Sequence, residues 1–328
     1  MNTDSYITLG ELADHLNCSV LGDRDKKIFG IALYSESTDN MLSYIPYSKI
    51  SKIPDIKAGV ILTQASIGLQ LHRNYIVTRK DPYYYLKDTI QFMIEKGLYN
   101  NVYDEKPYIS DSASVSPRAS IGNNAKVGSD TIITAGVSIG NNVMIGNNCV
   151  IGANTVIGDN VLIGDNVIIG SCCCIGTENF EYCKTDNGWI KIPVIGDVLL
   201  KDNVVIGGNV VVEKGTIGTT TIGSFTQIEN LVQIGHEAII GEHCHIVACA
   251  AIAGWAEIGN NVDIYGQAAV SNNVKIGDNV VLLARSGADK NVHSNMIVSG
   301  TPAQNHKKEL QFQAFLRKLF RDKTKGCV

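Results

Sequence analysis

The chain has 328 residues, enough for two or three folding units around a sizeable core. Its formal net charge is −4 and 18% of its residues are charged, too mild a balance for nucleic acid to be an expected partner. The opening "MNTDSYITLG" has no apolar h-region and no apolar run approaches the ~18 residues of a membrane span, so the nine cysteines read as reduced thiols of a cytoplasmic protein.

Over residues 1–100, "TLGELADHLN" and "DPYYYLKDTIQFMIEKGL" carry apolar residues at helical spacing. "KAGVILTQ" and "NYIVTRK" read as short strands, which together predict a small N-terminal α/β domain. "YNNVYDEKPYIS" is a polar linker out of that domain.

A period of six then begins. Every sixth residue from Ile109 through Val115, Ile121 and Val127 to Ile175 is Ile or Val, and from Gly122 onward the next residue is Gly, except at Thr134. Four residues after each Ile or Val comes a small or β-branched residue, or Cys149 and Cys173. The beat breaks at Thr177–Pro193, "TENFEYCKTDNGWIKIP", resumes at Val194, slips in "EKGTIGTTT" and locks again from Ile222 to Leu282. A period of six fits neither a 3.6-residue helix nor an alternating hairpin strand; it fits a coil of short parallel strands with one strand and one corner per hexad. Three hexads make a triangular turn, so residues eighteen apart stack with a rise of ~4.8 Å. The branched residue points inward, the small residue fits beside it, and Gly, Asn and Asp tolerate the corner. The fold class is therefore mainly β, a parallel β-helix over 109–287 with an insertion loop at 177–193. That loop carries Phe180, Tyr182 and Trp189. A rigid scaffold does not need it, so it reads as a binding loop, with a plain surface excursion as the alternative. After Pro302, Leu310, Phe312, Phe315, Leu316, Leu319 and Phe320 predict an amphipathic helix within a 301–328 extension, with a basic face from Lys307, Lys308, Arg317, Lys318, Arg321 and Lys323. Its first reading is a cap on the open solenoid end that also contacts other copies; its second is a dock for an acidic carrier protein.

One histidine stands out in the upper beat. His236 follows Gly235 in "QIGH", two residues after inward Ile234, which places it at a corner with its ring outside the core. Histidine is suited to take a proton from an amine at neutral pH, and the residue stacked one coil later is Gly254, whose N–H can hold a developing oxyanion. The bland alternative is one more polar corner residue. "HCH" at 243–245 and "CCC" at 172–174 do not predict a metal site, because Cys244 and Cys173 fall on the inward slot while their neighbours point elsewhere.

Several strings in order resemble one family, the UDP-3-O-(3-hydroxyacyl)glucosamine N-acyltransferases (LpxD) of the hexapeptide-repeat transferases. They are "NFEYCKTDNGWIKIPVIG", "EKGTIGTTTIG", "IENLVQIGHEAIIGEH", "AIAGWAEIGNNV" and "SGTPAQNHKKEL". The resemblance implies a left-handed β-helix; the handedness does not follow from the spacing. It implies a homotrimer with active sites between neighbouring solenoids and an N-terminal domain that helps hold a nucleotide-linked amino sugar. Acyl-CoA or acyl-carrier protein would be the co-substrate, with no tightly bound cofactor. The family's catalytic histidine falls on His236, its acid–amide pair on Glu229 and Asn230, and its insertion loop, with Phe180, Tyr182 and Trp189, reaches toward the cleft and acyl chain. Two departures fall on substrate contacts. "SYIPYSKI", with Tyr44 and Tyr47, stands where a uracil-contacting "NPKY" is usual, and Asn273 stands where a second histidine is usual. "EKG" also replaces "DRG". These departures suit a relative that keeps N-acyl transfer and acts on another nucleotide-linked deoxyamino sugar for surface glycans. The alternatives are the lipid A enzyme itself, an O-acetyltransferase of the same superfamily, and a scaffold without catalysis.

Overall fold

The computed structural model describes residues 5–45, 56–64, 73–99, 104–186 and 188–325. The chain divides into two compact units.

The first unit comprises residues 1–102, 180–196 and 216–218. Helix α1 (Leu9–His15) starts at a capping box in which Thr8 accepts from the Glu11 N–H and the Glu11 carboxylate accepts from the Thr8 N–H. Helix α2 (Leu86–Glu95) buries Leu86, Ile90 and Met93. A four-stranded sheet orders Ser19–Leu21, Asn74–Thr78, Val60–Gln64 and Leu42–Tyr44, antiparallel at the first pair and parallel at the others. The excursion adds a hairpin, Tyr182–Thr185 against Gly188–Lys191, and sends Cys183 and Ile192 into the same apolar core as Leu62, Ile76 and Ile90. It is more than a surface loop of the solenoid, because it supplies core residues to this unit.

The second unit, 103–179, 197–215 and 219–328, is the solenoid. Its three faces hold nine, eleven and nine strands among the described residues, most of them two residues long and all parallel except the last strand of the second face. The inward Ile and Val residues stack in register: Val127 on Ile145, Ile133 on Ile151, Ile139 on Ile157. Their burial runs unbroken along the axis. This is where the apolar free energy of the fold resides, at about 25 cal/mol per Å² buried. The small slot is also used by polar groups that must be paired inside: the Thr131 hydroxyl donates to the Gly146 carbonyl at 2.8 Å and the Cys149 thiol to the Gly164 carbonyl at 3.1 Å. The coil-to-coil offset is 18 residues, widens to 37 where 180–196 leaves the solenoid, is 22 across "EKGTIGTTT", and returns to 18.

The corners differ from expectation in one respect. Asn142, Asn148 and Asn160 adopt positive φ (56–61°), whereas the glycine after each inward residue mostly does not. Gly122 is glycine because an added Cβ would lie 2.6 Å from the Gly140 carbonyl group of the next coil. Asn tolerates the left-handed turn; Gly permits close stacking. The solenoid also runs past residue 287, to Ile297–Ser299, because its last coil has a 16-residue offset and so drops the six-residue beat. The exposed edge there is closed by an antiparallel strand, Gln304–Asn305. Helix α3 (His306–Lys325) is not a packed cap: Leu310, Phe312, Phe315, Leu316, Leu319 and Phe320 are all exposed in the single chain. Among the described residues no helix is long and apolar enough to cross a membrane.

Candidate active site at the His236 corner

His236 lies at the corner after strand Gln233–Ile234. It is outside the solenoid core cluster yet only 8% exposed, more enclosed than a corner residue needs to be. Three groups enclose it. The Glu237 carboxylate meets Nδ1 at 2.6 Å and is itself buried. The Trp255 ring stands edge-on at 6.3 Å. The third is Gly254, where an added Cβ would fall 2.5 Å from Nε2 and 2.8 Å from Cδ2 and Cε1. Gly254 therefore makes room for the imidazole itself.

The hydrogen bonding around this corner departs from the rule elsewhere. The N–H two residues after an inward residue commonly donates to an Asn or Asp side chain one coil on: Asn123 to Asn141, Asn147 to Asp165, Asn260 to Asp278. At His236 that side chain is missing, because the stacked residue is Gly254. The His236 N–H turns back instead, to Glu213 Oε2 at 3.2 Å, while Glu213 Oε1 accepts from Gln233 Nε2 at 3.2 Å. Burial pushes the Glu213 carboxyl above the usual carboxylate range, against the pull of His236. At Gly254 the stacked side chain is Asn272, whose carboxamide oxygen accepts from Asn273 Nδ2 at 2.6 Å. The Gly254 N–H thus has no protein acceptor among the described residues.

Backbone strain marks the same coils. Six successive corners carry residues other than Gly, Asn or Asp at positive φ: Phe225, Leu231, Glu237, His243, Cys249 and Trp255. Each costs about 1–2 kcal/mol relative to a relaxed backbone, a cost that tends to persist where function retains it.

The other sequence-derived residues sit as follows. Asn273 is on the His236–Gly254 corner line, and its N–H donates to the Gly254 carbonyl at 3.2 Å. Glu229 and Asn230 lie at the corner on the other end of strand Gln233–Ile234, so one chain does not bring them to His236. Asn230 Oδ1 accepts from the Gly208 N–H at 2.7 Å and Glu229 Oε2 from the Ala248 N–H at 3.0 Å. Phe180, Tyr182 and Trp189 belong to the first unit, with Phe180 and Trp189 exposed, Phe180 beside Tyr182, and Lys184 Nζ 5.9 Å from the Trp189 ring centre. Tyr44 is half-buried against that unit's core, and Tyr47 lies outside the described residues. Cys244 points inward, His243 stacks on Phe225, and His245 faces Asp263 at 3.9 Å. Sequence reasoning missed Glu213, Gln233, Glu237 and Trp255. Glu237 and Trp255 were findable, as neighbours of His236 and Gly254 on the beat; Glu213 was hidden by the 22-residue offset.

The family model described as bacterial transferase hexapeptide (six repeats) matches residues 118–153, 142–177 and 219–254 of these coils. In sequence the chain is LpxD-like. It is 53% identical over 140 residues to UDP-3-O-acylglucosamine N-acyltransferase 1 of Gloeobacter violaceus, covering 43% of this chain and 40% of that one. It is 48% identical over 83 residues to the UDP-3-O-acylglucosamine N-acyltransferase of Rhizobium johnstonii, covering 25% and 23%. The matched stretches thus span less than half the length of these relatives. A solved UDP-N-acetylglucosamine acyltransferase, LpxA from Bacteroides fragilis, aligns at a TM-score of 0.49 with 25% identity over 60% of this chain and 72% of that one.

Proposed function

We propose that the chain is an N-acyltransferase that moves an acyl group from a phosphopantetheine thioester to the amine of a UDP-linked, 3-O-acylated glucosamine, in the cytoplasm. The observation that carries it is the His236–Glu237 contact of 2.6 Å beside the Gly254 N–H. Glu237 accepts from Nδ1–H and fixes the tautomer, so Nε2 is the basic nitrogen. Nε2 takes a proton from the sugar ammonium, and the freed amine forms the C–N bond at the thioester carbon. The Gly254 N–H donates to the oxyanion of the tetrahedral adduct. The adduct nitrogen releases its extra proton to solvent, the adduct collapses with cleavage of C–S, and His236 returns its proton to sulfur, leaving amide, free thiol and one released proton.

The sequence alone favoured another deoxyamino sugar; the names of the relatives favour the lipid A acceptor, which is therefore the acceptor proposed. One observation keeps the deoxyamino sugar as a second reading: Asn273, in place of an imidazole, presents an amide committed to Asn272. A homotrimer belongs to the proposal, because a neighbouring copy is the means of bringing Glu229 and Asn230 to a base at another corner. Basic Lys307, Lys308, Arg317 and Lys318 on exposed α3 suit an acidic carrier protein as donor. The test is mass spectrometry of the purified chain with a panel of nucleotide-linked amino sugars and with acyl-CoA or acyl-carrier donors. Acylated UDP-3-O-acylglucosamine supports the proposal. Product only from a deoxyamino sugar with short acyl-CoA supports the second reading, and no product from any amine removes both.

A further inference from the structure

We propose that Glu213 is a positioning residue for His236 that acts on the base from the coil beneath it, through its charge as well as its hydrogen bonds. This deepens, and rests on, the assignment of His236 as the base.

The need for Glu213 follows from Gly254. The imidazole occupies the space where an Asn or Asp side chain would otherwise receive the His236 N–H, so the next coil offers no acceptor. Glu213, directly below Gly235 in the strand register, supplies it. Both of its oxygens are engaged, one by the His236 backbone and one by Gln233. The corner that carries the ring is therefore held from below while Glu237 holds the ring itself.

A second corner of the same chain shows the hydrogen bond by itself. Glu229 does the same for the Ala248 N–H, where the stacked residue is Gly266. Glu229 is exposed in the single chain, and its hydrogen bond goes to a backbone N–H that carries no imidazole. Glu213 is half-buried, and its carboxyl is coupled to both His236 and Glu237. The titratable groups that face it are those two on its neighbouring coil. Lys214, adjacent in sequence, is coupled instead to Asp159, Asp197 and Glu178. The charge on Glu213 is therefore felt at His236. A negative Glu213 favours the imidazolium that forms when the amine gives up its proton, and a neutral residue there disfavours it.

The experiment follows the imidazole directly, in the full chain with ring-labelled histidine, by NMR across pH. His236→Ala assigns the resonance. Glu213→Gln keeps an acceptor and the side-chain size but removes the charge, and the His236 midpoint is expected to fall by about half to one pH unit. Glu213→Asp keeps the charge and is expected to restore the midpoint most of the way. Glu242→Gln, at an exposed carboxylate 3.6 Å from Lys201 and outside the proposed site, is expected to leave it in place. An unmoved midpoint in Glu213→Gln, or an equal shift in Glu242→Gln, overturns the proposal and leaves Glu213 a strut. The readout needs no turnover. Failure of acyl transfer in the wild type would thus be distinguishable from failure of the coupling.

Discussion

Coils 121–170 and coils 222–258 share one backbone and differ in what fills their corners. In the first set the left-handed positions hold Asn142, Asn148, Asn154, Asn160 and Asn166. In the second they hold Phe225, Leu231, Glu237, His243, Cys249 and Trp255. Apart from the partly buried Ile121, the inward residues are equally buried in both. The interior thus sets the coil, while the corners are free to vary, and only one set gives up favourable turn residues. The difference separates a stretch with favourable turn residues from the one that holds the proposed base.

The largest contrast should come from paired substitutions. His236→Ala is expected to lower kcat by about 10²–10⁴-fold, the usual worth of a general base, with little change in Tm. Ile151→Ala, in the first set, should do the reverse. It empties a fully buried stack position at a cost of about 2–5 kcal/mol, read as a lower denaturation midpoint. Loss of stability without loss of turnover in His236→Ala would erase the distinction. Gly254→Ala and Gly122→Ala sharpen it. Each added Cβ meets an atom at 2.5–2.6 Å, but at Gly254 the obstacle is the His236 ring and at Gly122 it is the backbone of the next coil. The first should reduce kcat more than Tm, because a side chain can turn aside; the second should reduce Tm.

The sequence was explicit about the interior for a physical reason. An inward position tolerates only a branched apolar side chain, so its identity repeats every six residues and even the breaks show. Corner geometry was half legible. His236 was visible because a titratable ring stands at a corner position that Asn or Asp fills in the lower coils, as at Asn147, Asp159 and Asp165. Glu213 was not, because a 22-residue offset hides that it lies under Gly235. The role of 180–196 was obscured for a related reason. Cys183 and Ile192 are core residues of a unit whose other strands lie more than a hundred residues earlier, and no local spacing reports such a contact.

Smaller effects test whether the corner residues of the second set are retained against stability. Leu231 is exposed at φ 62°. Leu231→Asn is expected to stabilise the fold by about 1 kcal/mol, and Asn148→Leu to destabilise it by a similar amount, both from chemical denaturation midpoints. Equal and negligible changes would mean that the left-handed corners carry no strain.

The smallest effect concerns Asp197, where the chain returns to the solenoid between the two sets of coils. Its carboxyl is pushed above its ordinary value of 3.8 by burial, and Oδ1 has no hydrogen-bond partner among the described residues. A raised folded-state value means that the proton is held more tightly in the fold than in the unfolded chain. Its contribution to stability is complete below pH 3.8 and is lost as pH rises through the folded-state value. Asp197→Asn stays neutral throughout. The Tm of the variant relative to wild type should therefore climb as the pH is raised from about 4 to 7. A difference that stayed constant over that range would show that Lys214 already compensates the charge, and that the return to the solenoid is as relaxed as the coils on either side.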